Sequence, residues 1–91
     1  MRDIIEKIAD HYGLAHQVCK TKEELQELYI ALLDYQEDDS KENLEAVITE
    51  IADVEIMTLQ LKYLLNVTGK VEIEKTFKLR RQLDRMKEEK R

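Results

Sequence analysis

The chain has 91 residues, enough for one small domain that buries a modest fraction of its surface and leans readily on a partner. It has no proline and two glycines, Gly13 and Gly69, while Leu, Glu, Lys and Ile are plentiful; this excludes a turn-rich strand fold and predicts an all-α chain. A formal net charge of −5 argues against nucleic-acid binding along the whole surface, and a single cysteine, Cys19, excludes an intrachain disulfide framework and fits a reduced, cytoplasmic setting.

The first segment, "MRDIIEKIADHYG", carries acids from Asp3 onward and no long apolar stretch, so it does not read as a signal peptide. Ile4, Ile5, Ile8 and Ala9 recur at helical spacing and predict a helix from about Arg2 to Tyr12, ended or kinked by Gly13. A second helix is expected from about Leu14 to Gln36, with Leu25, Leu28, Leu32 and Leu33 as its apolar stripe. "TKEE" at 21–24 resembles a capping box, which would start a separate helix at Thr21, but a continuous helix is the better reading. "EDDSKEN" at 37–43 is the clearest loop, with Asp39 or Ser40 as the cap of the next helix.

The third helix is expected from about Lys41 to Asn66. Its apolar residues cover most of its circumference, which predicts burial on several sides. A chain of this length can hardly enclose such a helix, so a homo-dimer or homo-tetramer is expected. Its most apolar part, Val54–Leu65, contains Glu55, Gln60 and Lys62 and is too short and polar to cross a membrane. "VTGK" at 67–70 ends it, with Gly69 expected at a left-handed cap. A fourth helix is expected from about Val71 to Lys87, with Ile73, Phe77, Leu83 and Met86 inward and a frayed tail beyond. The expected architecture is thus a single domain: a four-helix chain forming a helical bundle, completed by oligomerisation. The acidic stretch from Glu23 to Glu55 and the basic one from Lys75 to Arg91 are either two solvated faces or two sites that meet in the fold.

Glu24 and Glu27 stand three apart on the second helix, and Glu50 and Asp53 three apart on the third, so each helix presents two acids on one face. In an antiparallel hairpin, Glu24 faces Asp53 and Glu27 faces Glu50, because both pairs are equidistant from a pivot between Asp38 and Asp39. Four desolvated carboxylates would cost several kcal/mol each, so they require solvent, shared protons or a cation. Oxygen-only ligands suit a hard cation such as Mg²⁺ or Mn²⁺. On spacing alone, a metal site and two solvated acidic faces are equally good readings. The apolar neighbours Ile51, Ala52, Val54 and Ile56 favour the metal site.

"EELQE" followed after 22 residues by "EIAD" resembles the E-E-x-x-E … E-x-x-D signature of the MazG-like all-α nucleotide pyrophosphohydrolases. "HYGLAHQVCKTKEELQEL" and "EIADVEIMTLQLKYL" are similar to that family's first and central helices. The likeness spans roughly residues 8 to 66, with a weaker tail to Arg85. It implies Mg²⁺-dependent hydrolysis of a nucleoside triphosphate to monophosphate and pyrophosphate. Glu24, Glu27, Glu50 and Asp53 would hold the metal, and Glu23 and Glu27 would act on the attacking water. By the same likeness, Gln17 and His16 stand where base-contacting groups are often found, although for His16 an ordinary surface role is the better reading. Lys20 either touches phosphate or pairs with Glu23 and Glu24. Lys78, Arg81 and Arg85 form one stripe of the last helix, suited to a triphosphate or simply solvated near a helix C-terminus.

A di-iron carboxylate bundle wants Glu-x-x-His, and neither His11 nor His16 follows a Glu by three. "DYQEDDSKENLE" imitates a calcium loop but has Asp39 where the glycine belongs. The competing reading from another class is a catalytically silent helical oligomer, an assembly or regulatory module that would not need all four acids. No nucleic-acid partner is expected, because the basic stripe has few aromatic neighbours for stacking.

Overall fold

The computed structural model describes residues 2–90, with side chains from Ile4 onward, and shows three helices: α1 (Arg2–Glu37), α2 (Lys41–Leu64) and α3 (Thr68–Glu89). The chain is all-α, with three helices where four were expected. The first two expected helices are joined end to end in α1, with a kink between them. Gly13 interrupts α1 at φ 83°, ψ 167°, and helix resumes at once on its far side. That backbone region is open essentially to glycine alone, and side chains forced into it cost about 1–3 kcal/mol. No atom lies within 4 Å of where a Cβ would stand, so the angle and not crowding calls for glycine.

Thr21 caps nothing. Its buried hydroxyl donates to the Gln17 carbonyl at 2.6 Å, one turn back in an unbroken helix. The loop is Asp38–Ser40, at the expected pivot. Ser40 is the N-cap of α2, its Oγ accepting from the Asn43 amide at 3.2 Å. Asn43 Nδ2 closes the turn by donating to the carbonyls of Asp38 (2.7 Å) and Asp34 (3.2 Å).

The α2–α3 joint departs from expectation. The left-handed residue is Asn66 (φ 56°), and Gly69 lies inside the first turn of α3. Asparagine tolerates this conformation because its short polar side chain bonds locally. The Val67 amide reaches back to the Lys62 carbonyl at 3.0 Å, closing the end of α2. α3 continues through Glu89, past the expected start of a frayed tail.

α1 and α2 pack as an antiparallel hairpin. Its seam is as polar as it is apolar: Ala9, Ala31, Val47 and Met57 are buried beside Gln17, Thr21, Glu24 and Gln60. A bond independent of the acids fixes the register. Gln17 Nε2 donates to Gln60 Oε1 at 2.7 Å, and this pair is equidistant from the same Asp38–Asp39 pivot. Before the Gly13 kink, the Tyr63 hydroxyl ties α2 to α1 by donating to both carboxylate oxygens of Asp10, at 3.0 and 2.9 Å. Those bonds raise the Tyr63 phenol above its ordinary pKa.

α3 does not join the bundle. Among the described residues it touches the end of α2 and does not contact α1. An ion pair between helices, Lys62–Glu72 at 3.5 Å, steadies its root. Ile73, Phe77, Leu83 and Met86, expected inward, are exposed, Ile73 to 73% and Phe77 to 60%. The helix-wide burial expected of α2 is likewise absent within one chain, where only Val47, Met57 and Gln60 are buried.

Candidate metal centre and adjoining cleft

The hairpin register brings Glu24 and Glu27 of α1 to Glu50 of α2. One carboxylate oxygen from each lies within 4.8 Å of the other two. Glu24 is 6% exposed, Glu50 half-buried and Glu27 exposed. Asp53, expected as the fourth ligand, is half-buried and falls outside this group; it sits one turn along α2 and its side chain is one methylene shorter. Glu23 points to the exposed side of α1.

Lys20 is the cation at the centre. Its Nζ lies 3.3 Å from Glu24 Oε1 and 3.6 Å from Glu23 Oε2. The hydrogen bond to Glu24, its charge, and then that of Glu23 raise the Lys20 pKa above its ordinary value. This contribution to stability is present at neutral pH and is lost only as pH rises through that raised value.

One lysine does not balance three carboxylates. Among the described residues, the buried side-chain polar atoms without a hydrogen-bond partner are Glu24 Oε2 and Glu50 Oε2, and both belong to this centre. A fully charged pair at 4.8 Å repels by about 3.5 kcal/mol at an effective dielectric near 20, less where solvent reaches Glu27. Two orphaned acceptors and two uncompensated charges match a divalent, oxygen-seeking cation in number and chemistry. The three carboxylates are chemically suited to hold such an ion.

Beside the acids opens a cleft of about 680 Å³, within the range of small-ligand sites. Lys20 and Glu23 line the end nearer the acids, and Tyr12, His16, Gln17 and Gln60 supply the other polar groups of its wall. Tyr12 and His16 stack at 4.8 Å with 20° between their planes. His16 Nδ1 donates to Gln17 Oε1 at 2.7 Å, and Gln17 passes the chain on to Gln60, whose Nε2 reaches the Met57 sulfur at 3.7 Å. Gln17, expected to touch substrate, is thus buried with both amide atoms engaged, keeping one donor hydrogen and one lone pair spare. Gln60 and Tyr12 are site residues that the sequence reading does not single out. For Gln60 the clue is available: it is a lone amide in an apolar run, facing Gln17 across the pivot that pairs the acids.

The basic stripe is elsewhere. Lys78, Arg81 and Arg85 lie exposed on α3, which does not contact α1, so the acidic and basic regions do not meet within one chain. Arg81 instead lies over the Phe77 ring, 5.6 Å from its centroid.

No protein-family model, curated protein or solved structure matches the chain. Among the described residues no helix is long and apolar enough to cross a membrane.

Proposed function

We propose that the chain is a Mg²⁺-dependent nucleoside triphosphate pyrophosphohydrolase of the MazG-like kind, cytoplasmic and homo-oligomeric, releasing nucleoside monophosphate and pyrophosphate. The observation that carries the reading is the pair of orphaned buried carboxylate oxygens, Glu24 Oε2 and Glu50 Oε2, in a three-acid centre beside a ligand-sized cleft. Buried acceptors without partners are costly, and a resident divalent ion removes that cost.

Glu24, Glu27 and Glu50 would hold Mg²⁺, with Mn²⁺ as a substitute, and the family resemblance would add Asp53. Bound there, the ion supplies neutralisation of phosphate charge and a more acidic water. Glu27 and Glu23, the exposed acids of the set, are placed to accept the proton of an attacking water. Lys20 is placed to meet phosphate at the junction of acids and cleft. The stacked Tyr12 and His16 offer a flat face for a base, and Gln17 holds that wall in position.

Metal binding separates this enzyme from a silent helical module. Calorimetric titration of Mg²⁺ in the presence of a non-hydrolysable triphosphate analogue is expected to show saturable binding that Glu50→Gln weakens by more than about tenfold. No heat from either Mg²⁺ or Mn²⁺ would favour the silent module.

A further inference from the structure

Gly13 stands level with the end of α2. It and Leu64, the last residue of α2, are equidistant from the Asp38–Asp39 pivot about which Gln17 meets Gln60. Among the described residues α3 does not contact α1, so a straight α1 would carry residues 2–12 past its partner with no helix opposite them. The kink turns this arm back onto the hairpin. Ala9 is fully buried, and Asp10 accepts from the Tyr63 hydroxyl in the last turn of α2. On the register of Gln17 and Gln60, Asp10 would face Val67, which lies beyond α2; the bond is made one helical turn nearer the loop.

The arm supplies one wall of the cleft. Ile8 and Tyr12 line it from the arm, Gln17 and Lys20 from beyond Gly13, and Gln60 from α2. The width of the cleft therefore depends on the angle at Gly13. Apolar burial holds that angle weakly, since Ile4, Ile8 and Tyr12 are all exposed. The specific ties are polar and aromatic. The Tyr63 hydroxyl donates to both oxygens of the Asp10 carboxylate, at 3.0 and 2.9 Å, and Tyr12 stacks on His16 across the kink at 4.8 Å. Neither Asp10 nor Tyr63 lines the cleft.

We propose that residues 2–12 are a hinged wall of the cleft, turning at Gly13 and held closed by the Asp10–Tyr63 pair, which positions Tyr12 against a ligand that the pair itself does not touch. Glycine absorbs the change of backbone angle that such a hinge needs. A ligand that bridges Tyr12 and Lys20 holds the arm closed. By the same linkage, an arm that is open part of the time binds that ligand more weakly. The hinge rests on geometry alone; the identity of the ligand as a nucleotide rests on the hydrolase reading.

Amide hydrogen exchange, followed residue by residue in the ¹⁵N-labelled full-length chain, tests the hinge without any ligand. Tyr63→Phe keeps the ring and removes the hydroxyl. It is expected to speed exchange at residues 6–12 by about tenfold while residues 44–60 exchange as in the wild type. Asp10→Ala is expected to match it, and the double variant to exceed neither. Gly13→Ala adds a Cβ that meets open space, and is expected to free the arm because alanine favours helical angles at a position now at φ 83°. Wild-type exchange at residues 6–12 in Tyr63→Phe overturns the inference. So does acceleration spread evenly over the arm and α2, which would make the bond an ordinary contributor to global stability. The ligand is probed with Mg²⁺ and α,β-imido analogues of ribo- and deoxyribonucleoside triphosphates. A bound analogue is expected to slow exchange at residues 6–12, and Tyr63→Phe to raise KM about tenfold with kcat retained. An analogue that binds without protecting the arm overturns the coupling. If no analogue binds, yet Tyr63→Phe still loosens the arm, the hydrolase reading falls and the hinge stands.

Discussion

Glu27→Gln is expected to lower pyrophosphate release by at least about a hundredfold, since on the proposed reading it would remove a metal ligand and a proton acceptor together. Helicity should be unchanged, because Glu27 is exposed and the substitution keeps its shape. Far-UV circular dichroism beside the activity assay checks both halves. Wild-type turnover in this variant would remove Glu27 from the chemistry. Asp53→Asn discriminates further. A loss as large as that of Glu27→Gln favours the four-acid set implied by the family resemblance, whereas a small loss favours the three acids that the hairpin brings within 4.8 Å.

The second large effect is on stability. Gln60 is 1% exposed and has the largest side chain fully enclosed by the hairpin. Gln60→Leu keeps the volume but takes the acceptor from Gln17 Nε2, whose bond of 2.7 Å crosses the α1–α2 seam. Orphaning a buried donor costs about 1–3 kcal/mol, a large share of a small domain's stability. The double variant Gln17→Leu with Gln60→Leu leaves neither group unpaired, so it should be no less stable than the single one. Urea unfolding at one fixed protein concentration measures both. A Gln60→Leu chain as stable as wild type would show that the Gln17–Gln60 bond is replaced by solvent.

The hairpin was legible in the sequence because several local rules agreed. Ser40 supplied the cap, Gly13 the kink, and the paired acids the register, which the Gln17–Gln60 bond then met independently. The count of helices differs at Gly13, whose non-helical backbone angles set the expected kink between two helical segments joined end to end in α1. The α2–α3 joint misled because glycine is the commonest left-handed residue, yet Asn66 takes that role three residues earlier. Most instructive is α3. Its apolar spacing announces a buried face, but Ile73, Phe77, Leu83 and Met86 are exposed, because α3 leaves the hairpin and meets only α2 among the described residues. The meeting of Glu24, Glu27 and Glu50 was legible for the opposite reason, since their partners lie within one hairpin around the Asp38–Ser40 loop, whereas Asp53 falls outside the group.

The most direct measurement is pyrophosphate release from a panel of ribo- and deoxyribonucleoside triphosphates by the full chain, with and without Mg²⁺. The account predicts release that requires Mg²⁺ or Mn²⁺ and disappears in Glu27→Gln. Equal release without added metal in the presence of a chelator, or no release from any triphosphate with either ion present, would contradict it.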